Sequence, residues 1–256
     1  MYQQAAGRRK IILFFLVMSL MLIEHGVLGQ VSQFLPQSHS NFPIIHHRYY
    51  SLAYSEAAEQ AQWVAYELTK NMLLGMEKRN NSFLPDPLVV TESAFPSDYI
   101  GSGYDRGHLV PAGDMKINSE AMRETFYMSN ISPQHPSFNR GQWQYLEDKV
   151  RGWAVEKERI YVVAGPILST ALPTIGTNRV AIPTHFFKII LAQHAGKTNV
   201  IAFLMPNREL PGPLSAYLTT VNDLEVITGI DFFPQLPDEQ EEALESIIDA
   251  QPWHIE

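Results

Sequence analysis

The chain has 256 residues, 45% of them apolar and 18% charged, which excludes a disordered or collagen-like polymer and supplies enough apolar surface for a sizeable core. It contains no cysteine, so disulfides, thiolate metal sites and cysteine nucleophiles are excluded. The formal charge is −8 and no basic tail is present, so any nucleic-acid role must rest on a local site rather than on bulk charge.

Arg8, Arg9 and Lys10 precede the nearly uninterrupted apolar run Ile11 to Ile23. A helix that crosses a bilayer needs about 20 apolar residues, and this run is shorter. With the compact residues Val27-Leu28-Gly29 behind it, the segment reads as a cleavable signal peptide over residues 1–29. That reading implies a secreted or periplasmic protein without a stable membrane anchor; an uncleaved N-terminal anchor is the alternative. Cleavage after Gly29 removes Arg8, Arg9, Lys10 and Glu24 and moves the charge from −8 to −10.

Residues 30–44 read as a flexible leader and residues 45–256 as one domain. His46 to Ala53 is expected to be a first strand. Ala61, Val64, Ala65, Leu68 and Met72 recur at helical spacing and predict a helix over Ser55 to Met72, capped by Ser55. Glu77 to Tyr104, with three prolines and two glycines, is a long irregular stretch of the kind that often carries function. Ala121 to Met128 is expected to be a short helix. Asn139 to Trp153 is expected to be a longer one, with Trp143, Leu146, Val150 and Trp153 on one stripe. Ile160 to Ala164, Phe186 to Ala192 and Val200 to Met205 carry no charge except Lys188 and read as central strands. Leu224 to Thr228 is a short helix stopped by Gly229, and Glu239 to Asp249 an acidic terminal helix. The irregular mixture of strands and helices favours α+β over a doubly wound sheet.

The densest chemistry lies in Tyr104-Asp105-Arg106-Gly107-His108, Ser129-Asn130-Ile131-Ser132-Pro133-Gln134 and Asn139-Arg140-Gly141-Gln142-Trp143, followed by Leu146-Glu147. A neutral imidazole accepts a proton near physiological pH. A carboxamide oxygen is a hard, uncharged ligand for Mg²⁺, Mn²⁺ or Ca²⁺, and a guanidinium fits phosphate oxygens. Base, hard-metal ligand and phosphate clamp are the parts of metal-assisted phosphodiester hydrolysis. On one regular helix Asn139 and Glu147 would stand about 80° and about 12 Å apart. That assigns Asn139 to the metal and Glu147 to its water shell or to the clamp. Arg151 follows Glu147 at the spacing of an i,i+4 ion pair, which is also the plain structural reading of both. His108 alone could be a structural histidine, Asn139 a helix cap and Asn130 a turn residue. His46-His47 reads as structural, because adjacent strand residues point apart.

These blocks resemble the DNA/RNA non-specific endonucleases, the ββα-metal (His-Me finger) nucleases of the Serratia-type and endonuclease G-like group. The resemblance extends to Trp63-Val64-Ala65-Tyr66, Tyr161 to Pro166, Ile182-Pro183, Phe187-Lys188 and Val221 to Phe233, and so covers roughly residues 45–235. It implies a central, mainly antiparallel sheet flanked by helices. It also implies a magnesium-dependent endonuclease that cuts DNA and RNA and leaves 5′-phosphate ends, with Mn²⁺ as an alternative ion. Carried over, His108 matches the general base, Asn139 the sole direct protein ligand of the metal, and Glu147 the acid that orients metal-bound water. Arg106 matches a phosphate contact or brace beside the base. Asn130 matches an auxiliary polar residue of the site, Arg151 a substrate-contacting or glutamate-holding arginine, and Arg79 an arginine that steadies the transition state. Members of the family are often homodimers. The disulfides of Serratia-type members have no counterpart here. A non-catalytic nucleic-acid-binding relative and a small-molecule phosphodiesterase are the rival readings.

Overall fold

The computed structural model describes residues 34–38 and 42–255, so the signal-peptide reading lies outside the described residues. Strand β1 (Gln37–Ser38) is followed by β2 (Ile44–His46), β3 (Ser51–Ser55) and β4 (Gln60–Thr69), and then by the one-turn helix α1 (Lys70–Leu73). After the long irregular stretch come β5 (Asp105–His108), α2 (Ser119–Glu124), β6 (Ile131–Gln134) and α3 (Pro136–Phe138). An irregular turn over Asn139–Trp143 leads into the long helix α4 (Gln144–Glu156) and then β7 (Arg159–Pro166). The chain continues through β8 (Thr174–Ile175), β9 (Val180–Ala181), β10 (His185–His194), β11 (Lys197–Pro206) and β12 (Leu218–Thr219). It closes with α5 (Val221–Thr228), β13 (Ile230–Asp231) and α6 (Asp238–Glu245).

The spine is a seven-stranded antiparallel sheet in the order β12-β11-β10-β7-β4-β3-β2. Both its faces are apolar, because alternate side chains of each central strand point to opposite sides. Ile160, Val162 and Ala164 of β7 join the core under α4, which contributes Leu146, Val150 and Trp153 to it. Tyr161 and Val163 face the other core, with Leu224 of α5, Phe232 and Phe34. The expected α+β class, sheet and helix flanks are all present.

Several expectations need correction. Ser55 to Met72 is not a helix: β4 occupies its centre, with Trp63 and Ala65 on one face and Val64, Tyr66 and Leu68 on the other. Burial on both faces gives a continuous apolar run, which a helical template matches as well as a strand does. His46 to Ala53 is a hairpin rather than one strand; β2 and β3 are joined by a turn in which the His47 amide donates to Tyr50 O. The segment Asn139 to Trp153 is not one helix, because Gly141 takes a non-helical conformation (φ −111°, ψ −114°). The Ala121 to Met128 helix begins earlier, at Ser119, where the Asn118 side chain caps the Ala121 amide, and ends at Glu124. The terminal helix ends at Glu245. The leader is tied down where it is described: β1 pairs with β13, and Phe34 is buried against Tyr161. Among the described residues no helix is long and apolar enough to cross a membrane.

Candidate active site

β5 and β6 form an antiparallel ribbon in which Asp105 faces Gln134 and His108 faces Ile131. Gly107 is required there, because a Cβ would stand 2.2 Å from the Gln134 side chain. Period-two alternation sends Arg106 and His108 to the same side of the ribbon. The turn carrying Asn139 is anchored from the sheet side by Asn207. Its Oδ1 accepts from the His135 amide at 2.7 Å, and its Nδ2 donates to Pro133 O and Pro183 O.

Ribbon, turn and the first turns of α4 enclose a solvent-open cleft of about 290 Å³, lined by Arg79, Arg106, His108, Asn139, Arg140 and Glu147, with Arg151 at its wall. Six of the seven residues named from sequence therefore meet in one place. Asn130 does not. It is fully buried; its Oδ1 accepts from the Val110 amide at 2.9 Å, and its Nδ2 donates to Val110 O and Thr125 O. Its polar atoms are spent on bracing the chain that follows His108, so it supports the site from behind and, contrary to a substrate-binding role, does not line the cleft.

His108 is 7% exposed and packed between Phe83 and Phe126, with ring centroids 5.6 and 4.9 Å away. Its Nε2 is buried without a hydrogen-bond partner among the described residues. Burial, reinforced by the nearby Arg79 charge, lowers its pKa to about 3, so the ring is neutral at physiological pH. Arg79 lies exposed in the long irregular stretch, its guanidinium 5.2 Å from the Phe126 ring centroid. Arg106 is exposed over Phe83 at 4.4 Å, which corrects the option of a buried brace.

Asp105 fixes the opposite wall. One of its oxygens accepts from Asn139 Nδ2 at 2.9 Å, and Arg140 grips the carboxylate with two donors at 2.8 and 2.6 Å. Burial opposes ionisation of Asp105, but the bonds from Arg140 and Asn139 prevail and hold its carboxyl below the usual range. The Asn139 amide is thereby oriented by its nitrogen, and its Oδ1 has no protein partner among the described residues. Among the described residues no group of three or more His, Cys, Asp or Glu side chains converges to hold a metal. One oriented carboxamide oxygen in a wet cleft fits a hard cation that keeps most of its water, as Mg²⁺ does.

Glu147 is half-buried on the floor of the cleft and makes no hydrogen bond or ion pair with a described residue. Burial, helped by the neighbouring acids Asp114 and Asp148, raises its carboxyl well above the usual carboxylate range, and the cations Lys188 and Arg151 offset only part of that rise. The expected Glu147–Arg151 ion pair is absent. Arg151 donates instead to buried Asp114 at 2.9 Å and to Asp148, so two of its donors are already engaged. Tyr66 donates its hydroxyl to the other Asp114 oxygen at 2.8 Å. Asp105, Asp114, Arg140 and Lys188 were not singled out from sequence. Asp105 and Arg140 sit inside the quoted motifs, and Lys188 stands out in the sequence as the one charge in the central strands and as part of the matching pair Phe187-Lys188, without a role in the site. His47 is structural as expected, bonded to Asp86 at 2.8 Å, while His46 bonds Ser51.

The family model described as DNA/RNA non-specific endonuclease matches residues 34–239. The chain is 36% identical over 205 residues to the mitochondrial nuclease EXOG of Mus musculus, a match covering 73% of this chain and 56% of that protein. It thus spans little more than half the length of that relative. It is 34% identical over 239 residues to a nuclease of Nostoc sp., covering 88% of this chain and 86% of the other. Among solved structures, EndoG in complex with EndoGI superposes with a TM-score of 0.75 at 30% identity, covering 83% of this chain and 94% of that one.

Proposed function

This chain belongs to the DNA/RNA non-specific endonuclease family, and from that premise we propose that it is a divalent-cation-dependent nuclease, using Mg²⁺, that hydrolyses phosphodiester bonds in both DNA and RNA. The observation that carries the reading is the convergence of His108, Asn139 and Glu147 on one arginine-rimmed cleft. A cation held at Asn139 Oδ1 would supply electrostatic neutralisation of the phosphate in the transition state. His108, neutral above about pH 3, accepts a proton from water as that water attacks phosphorus. Arg106 and Arg79 hold the phosphate oxygens, and Glu147 accepts hydrogen bonds from water on the cleft floor. The bond broken is P–O3′, which leaves a 5′-phosphate and a 3′-hydroxyl. No 2′-hydroxyl takes part, so sugar type does not decide cleavage, and base edges need not be read. The basic rim works against a net charge of −8, so binding depends on local contacts and is salt-sensitive.

The test is a supercoiled plasmid and a long RNA incubated with the protein in Mg²⁺ or in EDTA. Loss of both substrates in Mg²⁺ alone supports the reading. A gel shift without cutting would indicate a binding protein, and turnover of only a small diester a phosphodiesterase. Export remains our reading of residues 1–29. The relative from Mus musculus is named as mitochondrial, whereas a nearly uninterrupted apolar run after a basic cluster is the pattern of a secretory signal. Mature protein recovered outside the cell with Gln30 at its N-terminus supports export; recovery from an organelle refutes it.

A further inference from the structure

Lys188 lies in the middle of β10 and is fully buried. Strand alternation places it between Phe186 and Ile190, on the face that packs against α4. Its Nζ stands 4.4 Å from the Trp143 ring centroid and has no hydrogen-bond partner among the described residues. An ammonium in such a place is costly unless opposite charge stands near it. Burial lowers its pKa; the carboxylates of Glu147 and Asp114 face it and oppose that shift, and Arg151 is the like charge. Asp114 is already held by Arg151 and Tyr66. Glu147 has no hydrogen-bonded protein partner among the described residues. Two acids and two cations therefore share the floor of the cleft, with exposed Asp148 as a further acid beside Arg151, so the acids already outnumber the cations and Lys188 cannot be removed without widening that excess.

We propose that Lys188 is a positioning residue that acts through Glu147: from beneath Trp143 it supplies the counter-charge that keeps Glu147 a carboxylate on the cleft floor, free to accept hydrogen bonds from water beside the scissile phosphate. The inference rests on the nuclease reading for its catalytic consequence and on the charge arrangement alone for its electrostatic one. Arginine at this position keeps the charge, and methionine fills the buried space beside Trp143 without it. Removing Lys188 leaves two buried acids facing one cation, and Glu147, having no bond to lose, is the acid that takes up a proton.

The experiment compares K188M, K188R, E147Q and K188M/E147Q. In metal-free protein the Glu147 carboxyl is followed by ¹³C NMR titration, with E147Q identifying its signal. Its midpoint should rise by about one pH unit or more in K188M and stay near wild type in K188R. In Mg²⁺ with plasmid substrate, K188M should lose about 10- to 100-fold in rate near neutral pH and recover as pH is raised. K188M/E147Q should be no slower than E147Q, because the two side chains act as one unit. An unmoved Glu147 midpoint in K188M, or a double variant whose loss is the product of the single losses, overturns the proposal. If K188M fails to fold, deleting both charges together should restore folding, and a double variant equally unfolded also overturns it. Wild-type protein that cuts neither nucleic acid defeats the nuclease reading, while the NMR comparison still decides the Lys188–Glu147 link.

Discussion

Replacing His108 with alanine separates the chemistry of the imidazole from its electrostatic cost to the fold. The folded ring stays neutral down to about pH 3, whereas the unfolded chain takes up its proton below about pH 6.5. The sign follows from linkage: above the unfolded value neither state binds the proton, and below it only the unfolded state does. Stability is therefore undiminished above about pH 6.5 and falls as the pH drops from there toward the folded value. Each unit corresponds to about 1.36 kcal/mol, so at about pH 4.5 the wild type has forfeited about 2.7 kcal/mol through this one residue. H108A has no such term. At about pH 7.5 it should be the less stable protein, by about 1–3 kcal/mol, because of the cavity between Phe83 and Phe126. Urea denaturation in EDTA measures both proteins at both values. The deficit of H108A should shrink by about 2.7 kcal/mol at the lower pH, while cleavage is abolished at either. A deficit that is the same at both pH values would refute the buried, neutral imidazole.

Three further predictions concern two residues that support the cleft and one remote from it. D105N removes the charge that Arg140 grips and loosens the orientation of Asn139; the Mg²⁺ concentration for half-maximal cleavage should rise about 10-fold or more with the thermal midpoint little changed, and an unchanged metal requirement contradicts the role given to Asp105. N130A removes three buried hydrogen bonds and should cost about 3 kcal/mol by denaturant titration. The molecules that remain folded should cut at close to the wild-type rate, and a large loss of specific rate would restore Asn130 as a site residue. G229A forces a side chain into the left-handed conformation that ends α5 (φ +66°), with an expected cost of about 1–2 kcal/mol and no change in metal dependence.

What the sequence made legible was local. The stripe Trp143, Leu146, Val150 and Trp153 is apolar on one side only, so its period is unambiguous, and all four residues are buried as that pattern requires. β7, β10 and β11 are β-branched and nearly free of charge, and they emerge as central strands. β4 was misread because Ala61, Val64, Ala65 and Leu68 satisfy helical spacing while its aromatic residues alternate between two cores. The break at Gly141 was invisible for a different reason: a single glycine is tolerated within a helix, and only the tertiary setting decides whether the chain bends there. The same limit applied to the cleft. His108, Asn139 and Glu147 lie in short motifs, but the groups beneath them come largely from distant segments: Tyr66, Asp114 and Lys188 meet Arg151 only in the folded chain. The one available signal was Lys188 itself, a charge in an apolar central strand that burial obliges to find partners.

The central claim is that an imidazole from β5 and a carboxamide from the turn before α4 face one cation-and-phosphate pocket. Paramagnetic Mn²⁺ titrated into ¹⁵N-histidine-labelled protein tests it without relying on turnover. The account predicts selective broadening of the His108 ring signals relative to the other histidines, and loss of that effect in N139A. Broadening centred on a different histidine, or an effect on His108 that survives N139A, would contradict it.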